Sequence, residues 1–188
     1  MRDSNTANTH QQEPSMVSDE ALVRQYANGD ALAFEKLYTR HKSGLFSFIR
    51  RQCNDVGVAE ELAHDSWLAV IKQANDFQSN ALFKTWIYRI AHNRLVDYWR
   101  KYGRSNHALL NELNECDAAQ DRSSEAIELT QLFEQLDALS DEQTTTLLLK
   151  VEGFSYAEIA SITNSKQETV KSRLRYATQR LRVAMELS

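Results

Sequence analysis

Two serine–glutamate pairs at one spacing, Ser155 with Glu158 and Ser165 with Glu168, constrain this chain more than any other feature. In each pair the serine oxygen can accept from a backbone N–H at the start of a helix while the carboxylate bonds back, a capping box. Between Gly153 and Arg182 the pairs open a short helix and a longer basic one around a turn of a few residues. That is the outline of a helix-turn-helix.

The second of these helices has the matching face pattern. Val170, Leu174, Ala177 and Leu181 recur at helical spacing and form a buried stripe. The opposite face carries Glu168, Ser172, Arg175 and Gln179, flanked by Lys171 and Arg182. These residue types reach base edges and phosphates, so the pattern points to DNA binding over a merely solvated face.

Glycine is sparse, with five in 188 residues, and Pro14 is the single proline. With Leu, Ala, Glu, Gln and Arg abundant, an all-α fold is expected. No apolar run approaches a membrane span, so no membrane insertion is expected. Residues 1–16 lack an apolar stretch and read as a disordered tail rather than a secretory signal. Cys53 and Cys116 stand far apart in no metal-ligand spacing, which suggests a reducing compartment and two ordinary thiols.

The formal net charge of −4 looks wrong for a DNA binder until it is divided along the chain. Residues 84–104 hold 6 basic and 1 acidic side chains, a net of +5. Residues 105–145 hold 1 basic and 10 acidic, a net of −9, and residues 146–188 hold 7 basic and 4 acidic, a net of +3. Local blocks, not the total, decide where a polyanion docks.

Helical patterns account for most of the rest. Ser18 to Asn28 reads as a first helix, stopped by Gly29, with Leu22, Val23 and Tyr26 apolar. Asp30 caps a second, to about Gln52, with Phe34, Leu37, Tyr38, Leu45, Phe46 and Ile49 on its apolar face. A third runs from about Val58 to Ala74, with Leu62, Ala63, Trp67, Leu68 and Ile71 as its buried set. Asp76 to Asn80 reads as a loop, and a fourth helix runs from about Ala81 to Tyr102, ending at Gly103. Residues 104–124 are polar, acidic and aperiodic, and read as a flexible linker. Helices resume near Glu125–Leu139, and Ser140 with Gln143 offers a further capping box.

The fourth helix places Phe83, Ile87, Ile90, Ala91, Leu95 and Tyr98 on one broad face. Trp86, Arg89, Asn93 and Arg100 fall towards another. Indole and guanidinium planes stack on unpaired bases, and Asn pairs with base edges. By pattern alone, packing of Trp86 and Trp99 under loops is an equal alternative. The preceding loop, Phe77 to Asn80, is small and polar except for Phe77, and such a loop could hold an extruded base, since flipping needs a pocket and a stacking partner.

Taken together, these segments resemble the bacterial RNA polymerase sigma factors of the extracytoplasmic-function group. FKTWIYRIAHNRLVDYWRK resembles their promoter-melting segment, AEELAHDSWLAVIKQANDF their polymerase-binding segment, and YAEIA with ETVKSRLRYATQRLR their C-terminal helix-turn-helix. The resemblance implies two helical domains, at 17–103 and 125–188, joined by the acidic linker 104–124. Glu61, Asp65, Trp67 and Leu68 would belong to the surface that meets the clamp (β′) of the polymerase core. Phe77, Ser79, Asn80, Trp86, Arg89, Asn93 and Arg100 would read and open the −10 element of promoter DNA. Glu168, Lys171, Ser172, Arg175, Tyr176 and Gln179 would meet the −35 element. An anti-sigma factor is a possible further partner, and the location would be cytoplasmic. Two departures stand out: His64 where many relatives have Gln, and a turn, Asn164 to Glu168, without the usual glycine. Glu168 can cap its helix or accept from a cytosine amine.

A conventional helix-turn-helix regulator with an N-terminal sensing or dimerising domain is the alternative, but it has no need of the Trp86–Arg100 face. No nucleophile–base pair, phosphate-binding glycine loop or metal-ligand spacing supports an enzyme, and neither cofactor nor metal is expected.

Overall fold

The computed structural model describes residues 17–53, 55–77, 82–103 and 139–186, with side chains as far as Val183. The expected tail at 1–16, the loop positions Ser79 and Asn80, the linker 104–124 and the helix expected from Glu125 (but for Leu139) lie outside them. The described residues form seven α-helices and no strand: α1 Asp19–Ala27, α2 Ala31–Arg50, α3 Val56–Gln73, α4 Phe83–Tyr102, α5 Asp141–Val151, α6 Tyr156–Ile162 and α7 Gln167–Glu186. A 3-10 turn, Ala74–Asp76, follows α3. The all-α expectation holds.

Local chemistry sets most helix starts. The Ser18 side chain accepts from the Ala21 N–H, that of Asp30 from Leu32 and that of Asp55 from Gly57 and Val58. Ser140 with Gln143 and Ser155 with Glu158 form complete capping boxes. The third expected box does not form. Helix α7 begins at Gln167, the Ser165 hydroxyl pairs with Thr163 at 2.8 Å, and Glu168 turns to Lys171. The start of α4 has no local side-chain cap. Glu20 of α1 supplies one from 63 residues away, accepting from the Phe83 N–H at 3.0 Å.

The core follows the expected faces with two exceptions. Leu22, Leu37, Leu45, Phe48, Ile49, Phe83, Ile87 and Leu95 are fully buried between α1 and α4. Ile71 and Tyr38, both expected inside, are exposed. On α3 the inner line is Ala59, Leu62, Ser66, Ala69 and Val70, which share one face at helical spacing. Its small members fill the narrow space beside α2 and α4, and Ile71 is left on the outer side. In the C-terminal group Leu149, Ile159, Ile162, Val170 and Ala177 are buried. The two groups share one apolar cluster, continuous from Leu22 to Leu174. Truncating Ile87 to Ala should cost ~2–5 kcal/mol in urea unfolding, by lost burial plus a cavity. Ser155→Ala should cost ~1 kcal/mol, the value of a cap.

Candidate nucleic-acid interface

Helices α6 and α7 form the helix-turn-helix. The chain turns at Asn164, the one non-glycine residue with positive φ (48°) among those described. Asn tolerates this left-handed conformation better than other side chains with a β-carbon. It therefore takes the place of the glycine missing from the turn. Val170, Leu174 and Ala177 are buried and Leu181 is half-buried, so Lys171, Ser172, Arg175, Tyr176 and Gln179 are presented to solvent. Lys171, Arg175, Gln179 and Arg182 line a shallow groove with Tyr156 and Thr178. Tyr156 comes from α6 and was not singled out by the sequence. Lys171 and Glu168 pair at 2.8 Å, and that hydrogen bond raises the lysine's pKa. Both ends are exposed, so the pair is weak and exchanges readily for phosphate.

On α4, Arg89, Asn93 and Arg100 are exposed along one line. Trp86 is half-buried, with its ring 5.1 Å from Phe77 and 6.1 Å from Phe83. It is thus a packed residue that keeps part of its surface open to solvent. Trp99 is half-buried and donates from Nε1 to the Gln52 carbonyl at 3.4 Å, under the turn after α2. Arg100 shares an exposed ion pair with Asp97 at 3.2 Å.

The third cluster lies between α2 and α3. Tyr38, Lys42, Ser43, Phe46, Glu60, Ala63, His64 and Trp67 line a groove there. Glu61 is exposed, and Asp65 and Leu68 are half-buried. Trp67 is only 6% exposed and packs edge-on against Phe34 and Tyr38, so it shapes this surface from beneath.

A fourth arrangement had no sequence signal. The side of α4 formed by Lys84, Thr85, Tyr88 and His92 is turned towards the C-terminal group. Tyr88 donates from Oη to Glu152 Oε2 at 3.1 Å, and its ring stands 4.9 Å from that of Phe154. Burial first, then the Glu152 charge, push the Tyr88 phenol far above its ordinary range. Lys84 Nζ donates to the Glu152 carbonyl at 2.8 Å and lies 4.7 Å over the Phe154 ring. Thr85 donates to Glu158 at 3.2 Å. Gln52, 1% exposed, accepts from Thr145 at 2.6 Å while donating to the Phe48 carbonyl. Gly44 leaves room for this: a methyl there would stand 3.1 Å from Tyr88 Oη.

No group of three or more His, Cys, Asp or Glu able to hold a metal ion occurs among the described residues. None of the described helices is long and apolar enough to cross a membrane.

Comparison with known proteins adds an independent line. Residues 37–105 match the family Sigma-70 region 2, and residues 129–181 match Sigma-70, region 4. The ECF RNA polymerase sigma factor SigK of Mycobacterium bovis (strain BCG) is 30% identical over 185 residues, covering 93% of this chain and 98% of that protein. The RNA polymerase sigma-H factor of Pseudomonas aeruginosa is 26% identical over 184 residues, covering 89% and 94%. Among solved structures, CnrH in complex with the cytosolic domain of CnrY is similar, with a TM-score of 0.68 and 22% identity over 90% of this chain and 98% of that one. So is the sigma factor RpoE of Bartonella quintana, solved with the anti-sigma factor NepR, with a TM-score of 0.63 and 23% identity over 82% and 98%. At those identities the structures establish the shared fold.

His92 makes the junction sensitive to acid. Burial, then the neighbouring Arg173, lower its pKa to about 4, with Glu142 opposing. The unfolded imidazole takes up its proton near pH 6.5. Between about 6.5 and 4 the unfolded chain therefore binds more protons, and stability falls as pH falls. Urea midpoints measured from pH 7.5 to 4.5 should decline across this window, and His92→Leu should flatten the decline. The Glu158 carboxyl, held low first by the Ser155 hydroxyl, acts in the same direction but only below the ordinary carboxylate range.

Proposed function

The chain belongs to the extracytoplasmic-function sigma factors of bacterial RNA polymerase, and from that premise we propose how its surfaces divide the work of promoter-specific transcription initiation. Sigma factors bind RNA polymerase, and this one directs it to promoters. The observation that carries the division is that one chain presents two separate polar faces, on α4 and on α7, each flanked by basic residues and each backed by a packed core.

The α7 face takes duplex DNA at the −35 element. Arg175 lies opposite the buried Val170–Ala177 stripe, where its fork can be bidentate to a guanine edge. Lys171 lies on the flank, where phosphate is its natural partner. Ser172, Tyr176 and Gln179 complete the contact, and Glu168 either retains Lys171 or accepts from a cytosine amine. The α4 face takes the −10 element as it opens. Arg89, Asn93 and Arg100 meet the strand, Trp86 offers its accessible part to an unstacked base, and Phe77 supports it; Ser79 and Asn80, next along the sequence, are expected to take part. The groove between α2 and α3, with Glu61, Asp65 and Leu68 around it and Trp67 beneath it, takes the β′ clamp of the polymerase core. An anti-sigma factor is a further expected partner, as NepR is for the RpoE of Bartonella quintana. The site of action is the cytoplasm, where the polymerase works, and the chain contributes binding energy without chemistry of its own.

Run-off transcription with purified core and a genomic promoter library tests the assignment. Specific transcripts are expected, and none from any template beside a working control sigma factor would refute it. On the promoter so found, Arg175→Ala should cost ~1–3 kcal/mol and relax base preference. Lys171→Ala should weaken all sequences alike and make the salt slope shallower by about one unit. Trp86→Ala should bind core normally yet fail on duplex promoter, and a premelted bubble template should largely restore it, because stacking contributes ~1–3 kcal/mol only once the base is free. Equal failure on duplex and bubble would show that Trp86 acts through folding.

A further inference from the structure

Between Gln167 and Arg182, helix α7 holds five basic side chains and a single acidic one, Glu168. That one charge opposes a polyanion, yet it stands on the face that reads. At about 100° per residue, Glu168 falls on the side of the helix opposite the buried Val170, in line with Ser172, Arg175 and Gln179. Lys171 falls on the flank, and its ammonium donates to Glu168 Oε1 at 2.8 Å. The Lys171 and Glu168 side chains are 50% and 81% exposed, so the pair is open to any duplex that docks on this face. Nor does a cap hold the carboxylate in place: the box with Ser165 is not formed, and the Ser165 hydroxyl pairs with Thr163.

An ionised carboxylate only accepts hydrogen bonds. In the major groove the donors are the amines of cytosine and adenine, whereas guanine and thymine present acceptors. Adenine carries its N7 acceptor beside its amine, and cytosine presents the amine alone. Cytosine is therefore the base whose edge suits Glu168. Opposite an acceptor or a phosphate, Glu168 either stands as an unpaired charge or keeps Lys171. If it keeps Lys171, that ammonium is withheld from phosphate. Either way the wrong duplex loses binding, which is how a repulsive element separates partners.

On the reading of α7 as the −35 face, we propose that Glu168 is a specificity-determining residue that acts by exclusion. Paired with Lys171, it holds down the affinity of α7 for every duplex, except where a cytosine amine takes the carboxylate and frees Lys171 for phosphate. The sign of its effect separates it from a plain contact. Loss of a plain contact such as Arg175 weakens binding, whereas loss of Glu168 tightens binding to the wrong sequences.

The test uses holoenzyme, reconstituted from polymerase core and the full chain. Anisotropy is measured on the promoter duplex found by run-off transcription, with each −35 position substituted in turn, and on a non-promoter duplex. Wild type should show a position at which cytosine is preferred about tenfold over thymine. There 5-methylcytosine, which keeps the amine and adds the methyl group of thymine, should bind like cytosine. Glu168→Ala and Glu168→Gln, whose amide both donates and accepts, should each abolish the preference. Both should bind the thymine and non-promoter duplexes about threefold tighter than wild type, and the salt slope on the non-promoter duplex should steepen by about one unit. Glu168 is exposed, and circular dichroism checks that both variants fold. A −35 element with no preferred cytosine, a preference that survives both substitutions, or variants that bind the non-promoter duplex no tighter than wild type would each overturn exclusion by Glu168. If Arg175→Ala relaxes base preference while the Glu168 variants behave as wild type, the −35 reading of α7 stands and only the role of Glu168 falls. If no substitution on α7 changes the preference, the reading falls and the role of Glu168 falls with it.

Discussion

Helix α4 has three different surroundings to satisfy around one circumference, and the rest of the structure is arranged about that demand. At about 100° per residue, Phe83, Ile87, Ala91 and Leu95 define a sector that is wholly buried against α1 to α3. Trp86, Arg89, Asn93 and Arg100 define a second that faces solvent, apart from the packed part of the indole. Thr85, Tyr88 and His92 define a third, which meets α5 to α7. Each full burial of a large apolar side chain contributes roughly 1.5–3 kcal/mol. The first sector therefore fixes the rotation of the helix, and the other two follow from it.

The ends of that helix show how local and distant chemistry divide the work. Most of the described helices have a serine or aspartate cap immediately before their first residue. The α4 start depends on Glu20 of α1, which accepts from the Phe83 N–H. Asp19 beside it holds Arg40 at 2.7 Å and His41 at 2.6 Å. Two adjacent carboxylates thus tie α1 to α2 and to α4. The short first helix serves as a clasp for the helices that carry the binding surfaces.

The helix-turn-helix shows one residue in two roles. Glu158 closes the capping box of α6 through Ser155 and also accepts from Thr85 on α4. The capping role needs only a three-residue spacing. The second role needs the C-terminal group to stand against α4, which no spacing encodes. Glu168 gives the converse case: its spacing from Ser165 fits a box, but the nearby Lys171 ammonium competes for the carboxylate and takes it.

The chain's sequence by itself determined the helical class, the cap residues Asp30, Ser140 and Ser155, the buried stripe of α7 and the exposed polar line on α4. These depend on neighbours three or four residues away, whose relative positions a helix sets in advance. The motifs in order were enough to show the family. Only the tertiary structure decided that Tyr38 and Ile71 face outward, that Trp67 lies beneath its surface, that Glu20 caps α4, and that Tyr88 meets Glu152 and Phe154. Each of these depends on groups far apart along the chain. Periodicity says which side of a helix is apolar, whereas the partner for that side is set by how several helices fill one volume together.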